Sequence, residues 1–401
     1  MARELPLEPY PVPRHHATLR ALGRRIHFGR LALHLPDGSA CLFVGEAPGP
    51  NAVLSVKDSR FLRRLLFGGG TGFGEAYVDG ICDSPDVSQV VALASRNYRL
   101  WEEALEGRPF YKAARRLVHA LRPNSRTGAR RNIARHYDLG NAFYAAWLDP
   151  SMTYSSAFFE APSESLESAQ RNKYRKVAEM AELRPGQHLL EVGCGWGGFA
   201  AFAAQEIGCK VTAITLSKEQ HAYASQRIQQ AGLSDRVEVR RQDYRDTEGR
   251  FDRIASIEMF EAVGEAYWPQ FFDKLRDSLK PGGRAALQVI TITDSLWERY
   301  RREVDFIQRY IFPGGMLPSP SALQSAASRA GFHWQGESSF GDHYAETLAR
   351  WRERFLAAWP ALANQDFDER FRRIWTYYLS YCEGGFREGR IDVRHVALAR
   401  E

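Results

Sequence analysis

Residues Leu189–Phe199 read LLEVGCGWGGF, a short apolar run that leads directly into four glycines. Leu189, Leu190 and Val192 have the apolar character of a buried parallel strand. The glycines can adopt positive φ angles and let the backbone approach a ligand closely, and a helix is expected to begin at Phe199. The stretch therefore predicts a strand, a ligand-binding turn and a helix in succession.

The chain beyond this turn alternates between strand-like and helix-like segments. Predicted strands cover residues 187–192, 210–216, 237–241, 253–257 and 284–291, with helices at 199–206, 218–231 and 267–279 and a turn at 281–283. Such alternation predicts an α/β fold with a doubly wound parallel sheet. Ligands bind at the carboxyl ends of the strands in that architecture, so the chemistry is expected in the turns that follow them.

The composition bounds the class of protein. The chain has 401 residues, of which 44% are hydrophobic and 25% charged, as in an ordinary soluble globular protein. No apolar run approaches the roughly 18 residues of a membrane span, and the N-terminus lacks the apolar core of a secretory signal. Five scattered cysteines argue against a disulfide framework or a zinc site. We therefore expect a cytoplasmic protein.

Shifts in composition predict four parts of the chain. Residues 1–25 are a proline-punctuated arm, 26–110 a small α+β domain, 111–135 a basic linker and 136–401 the domain that carries the glycine turn. The small domain lacks a cluster of catalytic residue types, which indicates a role in lipid binding or assembly. One of its helices is expected to end at Gly68.

The basic linker has eight lysines and arginines between Lys112 and Arg135 and no acid. Such a run can meet nucleic-acid phosphates or anionic lipid headgroups. It can equally be a solvated helix face joined to a linker. The linker alone does not separate these alternatives.

The order of residues in the glycine turn selects the cofactor. A dinucleotide-binding turn has an acid roughly 20 positions after its glycines, but here the next strand ends in Ile214-Thr215-Leu216-Ser217. The acid, Glu191, instead precedes the glycines. This order suits S-adenosylmethionine, whose ammonium and sulfonium groups need carboxylate and carbonyl oxygens. The expected cofactor-binding residues of this turn are Glu191, Gly193, Gly195 and Gly197.

Two further turns follow the next two predicted strands. Their side chains suit ribose hydroxyls and an adenine amino group, although each turn taken alone is also an ordinary cap or turn. Their occurrence at three consecutive strand ends favours cofactor binding. The residues concerned are Thr215, Ser217, Gln220, Gln242, Asp243 and Tyr244.

Several motifs between His136 and Arg387 resemble those of one family. They read HYDLGNAFY, TYS, EVGCGWGG, TLSKEQ, QDYRD, MFEAVG, RYIFPGG and FGDHYAETL. In this combination the sequence closely resembles the cyclopropane-fatty-acyl-phospholipid synthases and the related mycolic-acid methyltransferases. The resemblance implies a class I methyltransferase of Rossmann-like fold, with Tyr137, Tyr154 and Ser155 completing the cofactor site. It also implies that a methyl group passes from S-adenosylmethionine to a cis double bond of a phospholipid acyl chain, which then closes to a cyclopropane.

Family members hold bicarbonate as the base in a cage of side chains and one backbone group. The resemblance places Glu261, Tyr344 and the backbone of Ile290 in this cage. Ser156 replaces the family's cysteine, and Gln288 replaces its histidine. Serine and glutamine still donate hydrogen bonds to an anion, but a titratable imidazole is lost.

These departures leave alternatives for the function. The ring-forming reaction is favoured, and a methyl-branched unsaturated chain is the alternative if proton loss is redirected. A second alternative is a lipid-surface protein with a degraded site. A nucleic-acid methyltransferase is disfavoured because residues 256–261 read SIEMFE instead of an Asn-Pro-Pro-Tyr-type element. The expected partners are unsaturated acyl chains and an anionic phospholipid surface at the inner membrane face, and the resemblance suggests a homodimer.

Overall fold

The computed structural model describes residues 19, 22–105, 139–364 and 367–401. The basic linker, Tyr137 and most of the N-terminal arm lie outside these ranges. The chain divides into two units by its internal contacts. The N-terminal unit spans Met1–Leu121, Arg302–Ile307 and Phe355–Arg390. The other unit, which holds most of the expected methyltransferase domain and is called the methyltransferase unit for that reason, spans Arg122–Arg301, Gln308–Arg354 and Ile391–Glu401.

The N-terminal unit begins with a small sheet of order β2-β1-β3-β4. Its elements are β1 (Phe28–His34), β2 (Ala40–Val44), β3 (Ala47–Val56), α1 (Arg60–Val78), β4 (Cys82–Asp83), α2 (Val87–Arg96) and α3 (Tyr98–Leu105). Strands β1 and β2 pair antiparallel, and β1 pairs parallel with β3. The α+β character expected for this region is observed.

Helix α1 does not end at Gly68 as the sequence predicted. It continues to Val78, with a kink at Gly69 where φ is 54° and ψ −136°. A Cβ atom on Gly74 would lie 2.5 Å from the ring of Tyr377. Glycines in this helix therefore permit a kink and a close packing contact, while the buried residues near Val78 hold its second half in place.

The C-terminal helix α13 (Glu369–Arg387) packs within the N-terminal unit. Arg373 donates from Nε to the carbonyl of Tyr77 at 2.6 Å and from Nη2 to that of Cys82 at 2.8 Å. A Cβ on Gly384 would come within 2.7 Å of Val91 on α2. By internal contacts, residues 302–307 and 355–390 group with the N-terminal unit, whereas the sequence placed them with the rest of 136–401.

The methyltransferase unit contains a sheet of order β10-β11-β9-β8-β5-β6-β7. Its strands are β5 (His188–Val192), β6 (Lys210–Thr215), β7 (Val237–Arg241), β8 (Phe251–Ile257), β9 (Leu279–Ile292), β10 (His333–Ser339) and β11 (Ile391–Ala399). Strands β5 to β9 pair in parallel, as predicted. Strands β10 and β11, which the sequence did not predict, add antiparallel pairs at one edge.

The helices between Asn141 and Leu362 are α4 (Asn141–Ala145), α5 (Leu166–Met180), α6 (Gly198–Phe202), α7 (Lys218–Gln230), α8 (Trp268–Ser278), α9 (Asp294–Tyr300), α10 (Phe306–Tyr310), α11 (Pro320–Arg329) and α12 (Gly341–Leu362). Residues 306–307 of α10 and 355–362 of α12 belong to the N-terminal unit. One core cluster joins β8 and β9 to α8 and α11. The other joins β5 and β6 to α5 and α6.

The turn expected at residues 281–283 lies inside β9 as a bulge. Phe251 pairs with Leu279, whereas Arg253 pairs with Arg284, so four residues of β9 loop out between these pairs. Among the described residues, no helix combines the length and the apolar character that crossing a bilayer requires.

The strand order places a topological switch point between β5 and β8. The chain runs from β5 outward through β6 and β7, then returns to β8 on the other side of β5. Ligands of doubly wound sheets bind in the crevice at such a point. The hydroxyl of Ser256 near the end of β8 donates to the carbonyl of Val192 at the end of β5 at 3.0 Å, which ties the two strand ends together.

Candidate functional site

The glycine turn after β5 has the backbone conformation that the sequence predicted. The φ angles of Gly193, Gly195 and Gly197 are 83°, 53° and 81°, in the left-handed region that favours glycine. A Cβ on Gly193 would lie 2.7 Å from the side chain of Met259, whereas one on Gly195 would meet open space. The turn therefore packs against the residue that follows Glu258 and leaves room beside Gly195.

Glu191 supplies an unsatisfied acceptor at this turn. Its side chain is 3% exposed, and Oε2 has no hydrogen-bond partner among the described residues. Burial raises the pKa of Glu191 to about 8, while the nearby charge of Lys173 acts in the opposite direction. A buried carboxylate in this position needs a cation. The residues present therefore fit the ammonium group of S-adenosylmethionine.

The turn after β6 uses its polar groups partly for local structure. Ser217 caps α7 by accepting from the backbone nitrogen of Gln220 at 3.2 Å. The hydroxyl of Thr215 donates to Oε1 of Gln220 at 2.8 Å. The capping role that the sequence left open is thus observed for Ser217, and cofactor binding by these three residues stays a prediction.

The turn after β7 is held by an internal ion pair. Arg245 donates from Nε and Nη2 to the two carboxylate oxygens of Asp243 at 2.8 and 2.7 Å. Gln242 donates to the carbonyl of Asp246 at 2.6 Å, and the ring of Tyr244 meets that of Phe271 edge-on. The backbone nitrogen of Arg245 also donates to Oδ1 of Asp243 at 3.1 Å, so Arg245 fixes the orientation of this carboxylate. Cofactor binding by Gln242, Asp243 and Tyr244 stays a prediction.

The segment upstream of α5 is fixed by a buried lysine. Lys173, at 0% exposure, donates from Nζ to the hydroxyl of Ser155 at 2.7 Å. Burial lowers the pKa of Lys173 to about 8, although Glu258, Asp149 and Glu191 all oppose this shift. The Ser155 hydroxyl oxygen is therefore an acceptor for Lys173.

An aromatic cluster surrounds Tyr154. Its ring centroid lies 5.5 Å from that of Trp147 and 5.3 Å from that of Trp351, and Trp351 meets Tyr344 edge-on at 6.1 Å. Aromatic faces of this kind can stabilise a positive charge that develops in an acyl chain.

The expected cage residues converge on a residue that the sequence did not single out, Glu258. Oε1 of Glu258 accepts from the backbone nitrogen of Ser156 at 2.8 Å and from Nε2 of Gln288 at 2.7 Å. Oε2 accepts from the hydroxyl of Tyr344 at 2.5 Å. Three donors from distant parts of the chain therefore point at one carboxylate.

Two cage members act differently from the expectation. The Ser156 side chain donates to the carbonyl of Ala157 at 3.0 Å, so Ser156 contributes its backbone nitrogen instead of its hydroxyl. Ile290 donates its backbone nitrogen to Oε1 of Glu261 at 2.5 Å. The Ile290 nitrogen is thus already bonded to a neighbouring cage residue.

The two carboxyl groups of the site have different environments. Oε2 of Glu261 is buried without a partner among the described residues. Burial, with a smaller contribution from the negative charge of Glu258, raises the pKa of Glu261 to about 8. Burial also raises the pKa of Glu258, but hydrogen bonds from Tyr344, Ser156 and Gln288 oppose the rise. Glu258 is therefore better suited to carry the negative charge.

Behind Gln288 lies a second residue that the sequence did not identify, His395. Its Nε2 lies 2.8 Å from Oε1 of Gln288, which can only accept, so Nε2 carries the hydrogen. Burial lowers the pKa of His395 to about 3, so this ring is neutral. His395 orients the Gln288 amide so that Nε2 faces Glu258.

The bicarbonate ion that the resemblance implies does not fit these residues. The Ser156, Gln288 and Tyr344 donors all bond to the Glu258 carboxylate, and the Ile290 nitrogen bonds to Glu261. A second anion at this position would share the same donors with a like charge, which is costly in a buried site. The cage is therefore built around a carboxylate of the chain itself.

The sequence signals for the missed residues differ. Glu258 lies three positions before Glu261 at the end of a predicted strand. The sequence could therefore indicate that Glu258 is near the site, but it could not indicate its hydrogen-bond partners. Lys173 looks like any polar residue of an amphipathic helix. His395 meets Gln288 only through the β9 and β11 pairing.

Comparison with known proteins identifies the family. A family model described as mycolic acid cyclopropane synthetase matches residues 124–396. The chain belongs to this family. A tuberculostearic acid methyltransferase of Mycobacterium tuberculosis is 39% identical over 96% of this chain and 92% of its own length. The cyclopropane-fatty-acyl-phospholipid synthase of Escherichia coli K12 is 36% identical over 92% of this chain and 93% of its own length.

A solved structure of the same family agrees with this fold. The crystal structure of a mycolic acid cyclopropane synthase complexed with SAH and CTAB has a TM-score of 0.64 and 32% identity, covering 70% of this chain and 99% of that one. The protein is therefore an S-adenosylmethionine-dependent methyltransferase with the Rossmann-like class I fold that the sequence predicted.

Proposed function

We propose that this enzyme methylates a cis double bond in the unsaturated acyl chain of a membrane phospholipid. The observation that carries the proposal is the contact between the donor turn and the cage. Gly193 packs on Met259, and the adjacent Glu258 holds a carboxylate among three donors. A methyl donor site, a buried base and an aromatic cluster thus lie in one unit.

The residues divide the work between binding and proton removal. When bound, S-adenosylmethionine supplies an electrophilic methyl group to the double bond, which leaves positive charge on the neighbouring chain carbon. Glu191 holds the ammonium group of the methyl donor. The turn of Gly193, Gly195 and Gly197 accommodates the amino-acid portion of that donor. The aromatic rings near Tyr154 and Trp351 stabilise the charge on the chain. A carboxylate in the cage completes the reaction by removing a proton.

Ring closure to a cyclopropane is the product we expect. The cage still holds a carboxylate that can act as a base. The Escherichia coli relative is named a cyclopropane-fatty-acyl-phospholipid synthase. The second candidate product is a methyl-branched unsaturated chain. It is favoured by the replacements at Ser156 and Gln288, and by the relative named tuberculostearic acid methyltransferase.

Lipid analysis with trideuteromethyl-labelled donor tests the proposal and separates the products. The enzyme is expressed in a host that lacks such lipids, or is incubated with unsaturated phospholipid vesicles. A cyclopropane keeps two deuterons and resists ozone. A branched alkene formed by proton loss from the chain keeps all three and is cleaved. Unmodified chains, from a preparation that binds S-adenosylhomocysteine normally, would reject methylation of acyl chains and favour a lipid-binding role.

A further inference from the structure

We propose that Glu258 is the general base of this enzyme and takes the place of a bound bicarbonate ion. The inference rests on the proposed function, because the base acts on the methylated acyl chain. It names a catalytic residue that lies in the chain itself. It also predicts that the reaction proceeds without added bicarbonate.

The backbone places the Glu258 carboxylate in the cage. Glu258 directly follows β8, and its φ angle of 49° lies in the left-handed region that side-chain-bearing residues rarely adopt. Its backbone nitrogen donates to the carbonyl of Gln288 at 2.8 Å, which anchors this turn to β9. An uncommon conformation held by a hydrogen bond is typical of functional positions. Here it brings the side chain to the donors.

The donors around Glu258 match one carboxylate and no further anion. Oε1 takes both of its hydrogen bonds from Ser156 and Gln288, whereas Oε2 takes one from Tyr344. A carboxylate oxygen has two lone pairs, so Oε2 keeps one that can receive a proton. The hydrogen bonds fix the carboxylate and leave one basic position on Oε2 without a hydrogen bond from the residues that the structure describes.

The neighbouring carboxyl group of Glu261 is suited to the protonated state. Glu261 shares no donor with Glu258, and the Glu258 charge disfavours ionisation of Glu261. Two nearby carboxyl groups with different environments divide into one that is ionised and one that is protonated. The geometry gives the ionised role to Glu258, since it has three donors and Glu261 has one backbone donor.

The step balances with these groups alone. The double bond forms a carbon–carbon bond to the methyl group, and the carbon–sulfur bond breaks with its electron pair left on sulfur. Oε2 of Glu258 then takes a proton from the added methyl group, and the electrons of that carbon–hydrogen bond close the ring. If the proton leaves a chain carbon instead, those electrons form the new double bond. Neither route needs an oxidant or a reductant.

Substitution at 258 tests the base directly. Glu258→Gln keeps the shape of the side chain but removes the basic oxygen. We therefore expect the rate of lipid-product formation, followed by the S-adenosylhomocysteine released with it, to fall about a hundredfold or more. Glu258→Gly suits the left-handed backbone and frees the three donors. Its activity should be equally low in bicarbonate-free buffer and should rise with added bicarbonate or formate, while wild type stays unchanged.

A binding measurement provides a readout that does not depend on turnover. Carbon-13 bicarbonate should show line broadening with Glu258→Gly and none with wild type. Glu265→Gln, which removes an acid that pairs with Arg301 outside the cage, serves as the matched control and should leave both readouts unchanged. Binding of S-adenosylhomocysteine by each variant shows that the fold and donor site are intact.

The outcomes separate this inference from the proposed function. If wild type methylates lipids but needs bicarbonate or binds it, then Glu258 is not the base. The same conclusion follows if the activity of Glu258→Gln stays within about threefold of that of wild type. If wild type binds S-adenosylhomocysteine yet modifies no acyl chain, the proposed function fails and the base assignment fails with it. Rescue confined to Glu258→Gly, in both readouts, supports the inference.

Discussion

Lys173 donates from Nζ to the hydroxyl of Ser155 at 2.7 Å in the interior of the methyltransferase unit. Lys173 is fully buried, at 0% exposure. Burial raises the pKa of both Glu191 at the glycine turn and Glu258 in the cage, and the charge of Lys173 opposes this rise. One lysine therefore favours the ionised form of the two carboxyl groups to which we assign roles in donor binding and proton removal.

Replacing Lys173 by methionine should shift the pH dependence of the reaction. Without the cation the pKa of Glu258 rises, so less carboxylate is present at a given pH and kcat/KM falls on the acidic side. Activity should return as the pH is raised. Loss of the Ser155 hydrogen bond should also lower the unfolding free energy by about 1 kcal/mol.

A pH profile of kcat/KM, with denaturant unfolding, measures both effects. Lys176→Met is the matched control, because Lys176 lies one turn away on α5 and its side chain is 40% exposed. Its profile should overlay that of wild type. A Lys173→Met profile that also overlays wild type would contradict the assigned electrostatic role.

Glu191→Gln should weaken binding of the methyl donor. The change keeps the shape of the side chain but removes the charge that faces the ammonium group. A hydrogen bond to a charged group contributes about 2 kcal/mol, so affinity should fall about thirtyfold in titration calorimetry. Glu238→Gln on the exposed side of β7 should bind as wild type does. Equal affinities for all three proteins would remove Glu191 from the donor site.

Donor binding should strengthen as the pH rises from 6 to 7.5. The pKa of Glu191 in the ligand-free protein is about 8, so the carboxyl is mostly protonated in this window and binding of a cation must expel the proton. Affinity then rises up to about tenfold per pH unit. The window stays below the pKa of an α-amino group, about 7.7 to 8.0, so the ligand remains charged.

The same titration with Glu191→Gln is the control for this pH dependence. That variant has no carboxyl to ionise, so its affinity should be nearly constant between pH 6 and 7.5. A slope that persists in the variant would assign the proton to another group.

Arg373→Met should destabilise the N-terminal unit by about 3 kcal/mol. The guanidinium joins α13 to the carbonyls of Tyr77 and Cys82 and lies 4.2 Å from the centroid of the Tyr77 ring. Arg373→Lys should restore little, because an ammonium cannot bond both carbonyls in the same planar geometry.

Differential scanning calorimetry gives this measurement, with Arg372→Met as the matched control. Arg372 pairs with Glu369 within one helix turn and is more exposed than Arg373. Its loss should change stability little. Similar losses for both variants would show that the buried contacts of Arg373 do not hold α13.

Reversal of Arg130 and Arg131 should weaken binding to anionic vesicles. Each basic residue near such a surface contributes on the order of 1 kcal/mol, so the double substitution to glutamate should lower partitioning more than tenfold. The loss should shrink at high salt and be absent with zwitterionic vesicles. Sedimentation with vesicles measures it, and an unchanged partition would assign the basic run to a solvated segment.

Local patterns were sufficient for the strand and the glycine turn to which we assign donor binding. The order of Glu191 and the glycines after an apolar run predicts both the strand and the turn, because adjacent residues set the backbone conformation there. The parallel core of the sheet follows from the same alternation. Helix α1 shows the limit of such rules, since Gly68 ends a periodic pattern but the buried contacts near Val78 continue the helix.

The acceptor half depends on contacts between distant segments. The resemblance named Glu261, Tyr344, Ser156, Gln288 and Ile290, but the structure shows that three of these five bond to Glu258 and that Ile290 bonds to Glu261. Tyr344 is separated from Glu258 by 86 positions and Gln288 from His395 by 107. No local pattern contains such pairs.

The sequence by itself therefore determined the fold class, the methyl donor and the family. Strand and turn formation are local, and the proposed donor site is made from consecutive strand ends. Only the tertiary structure decided which carboxylate the cage surrounds and which unit α13 joins. Both depend on strand register and side-chain packing across the chain, where burial and hydrogen bonding select the partners.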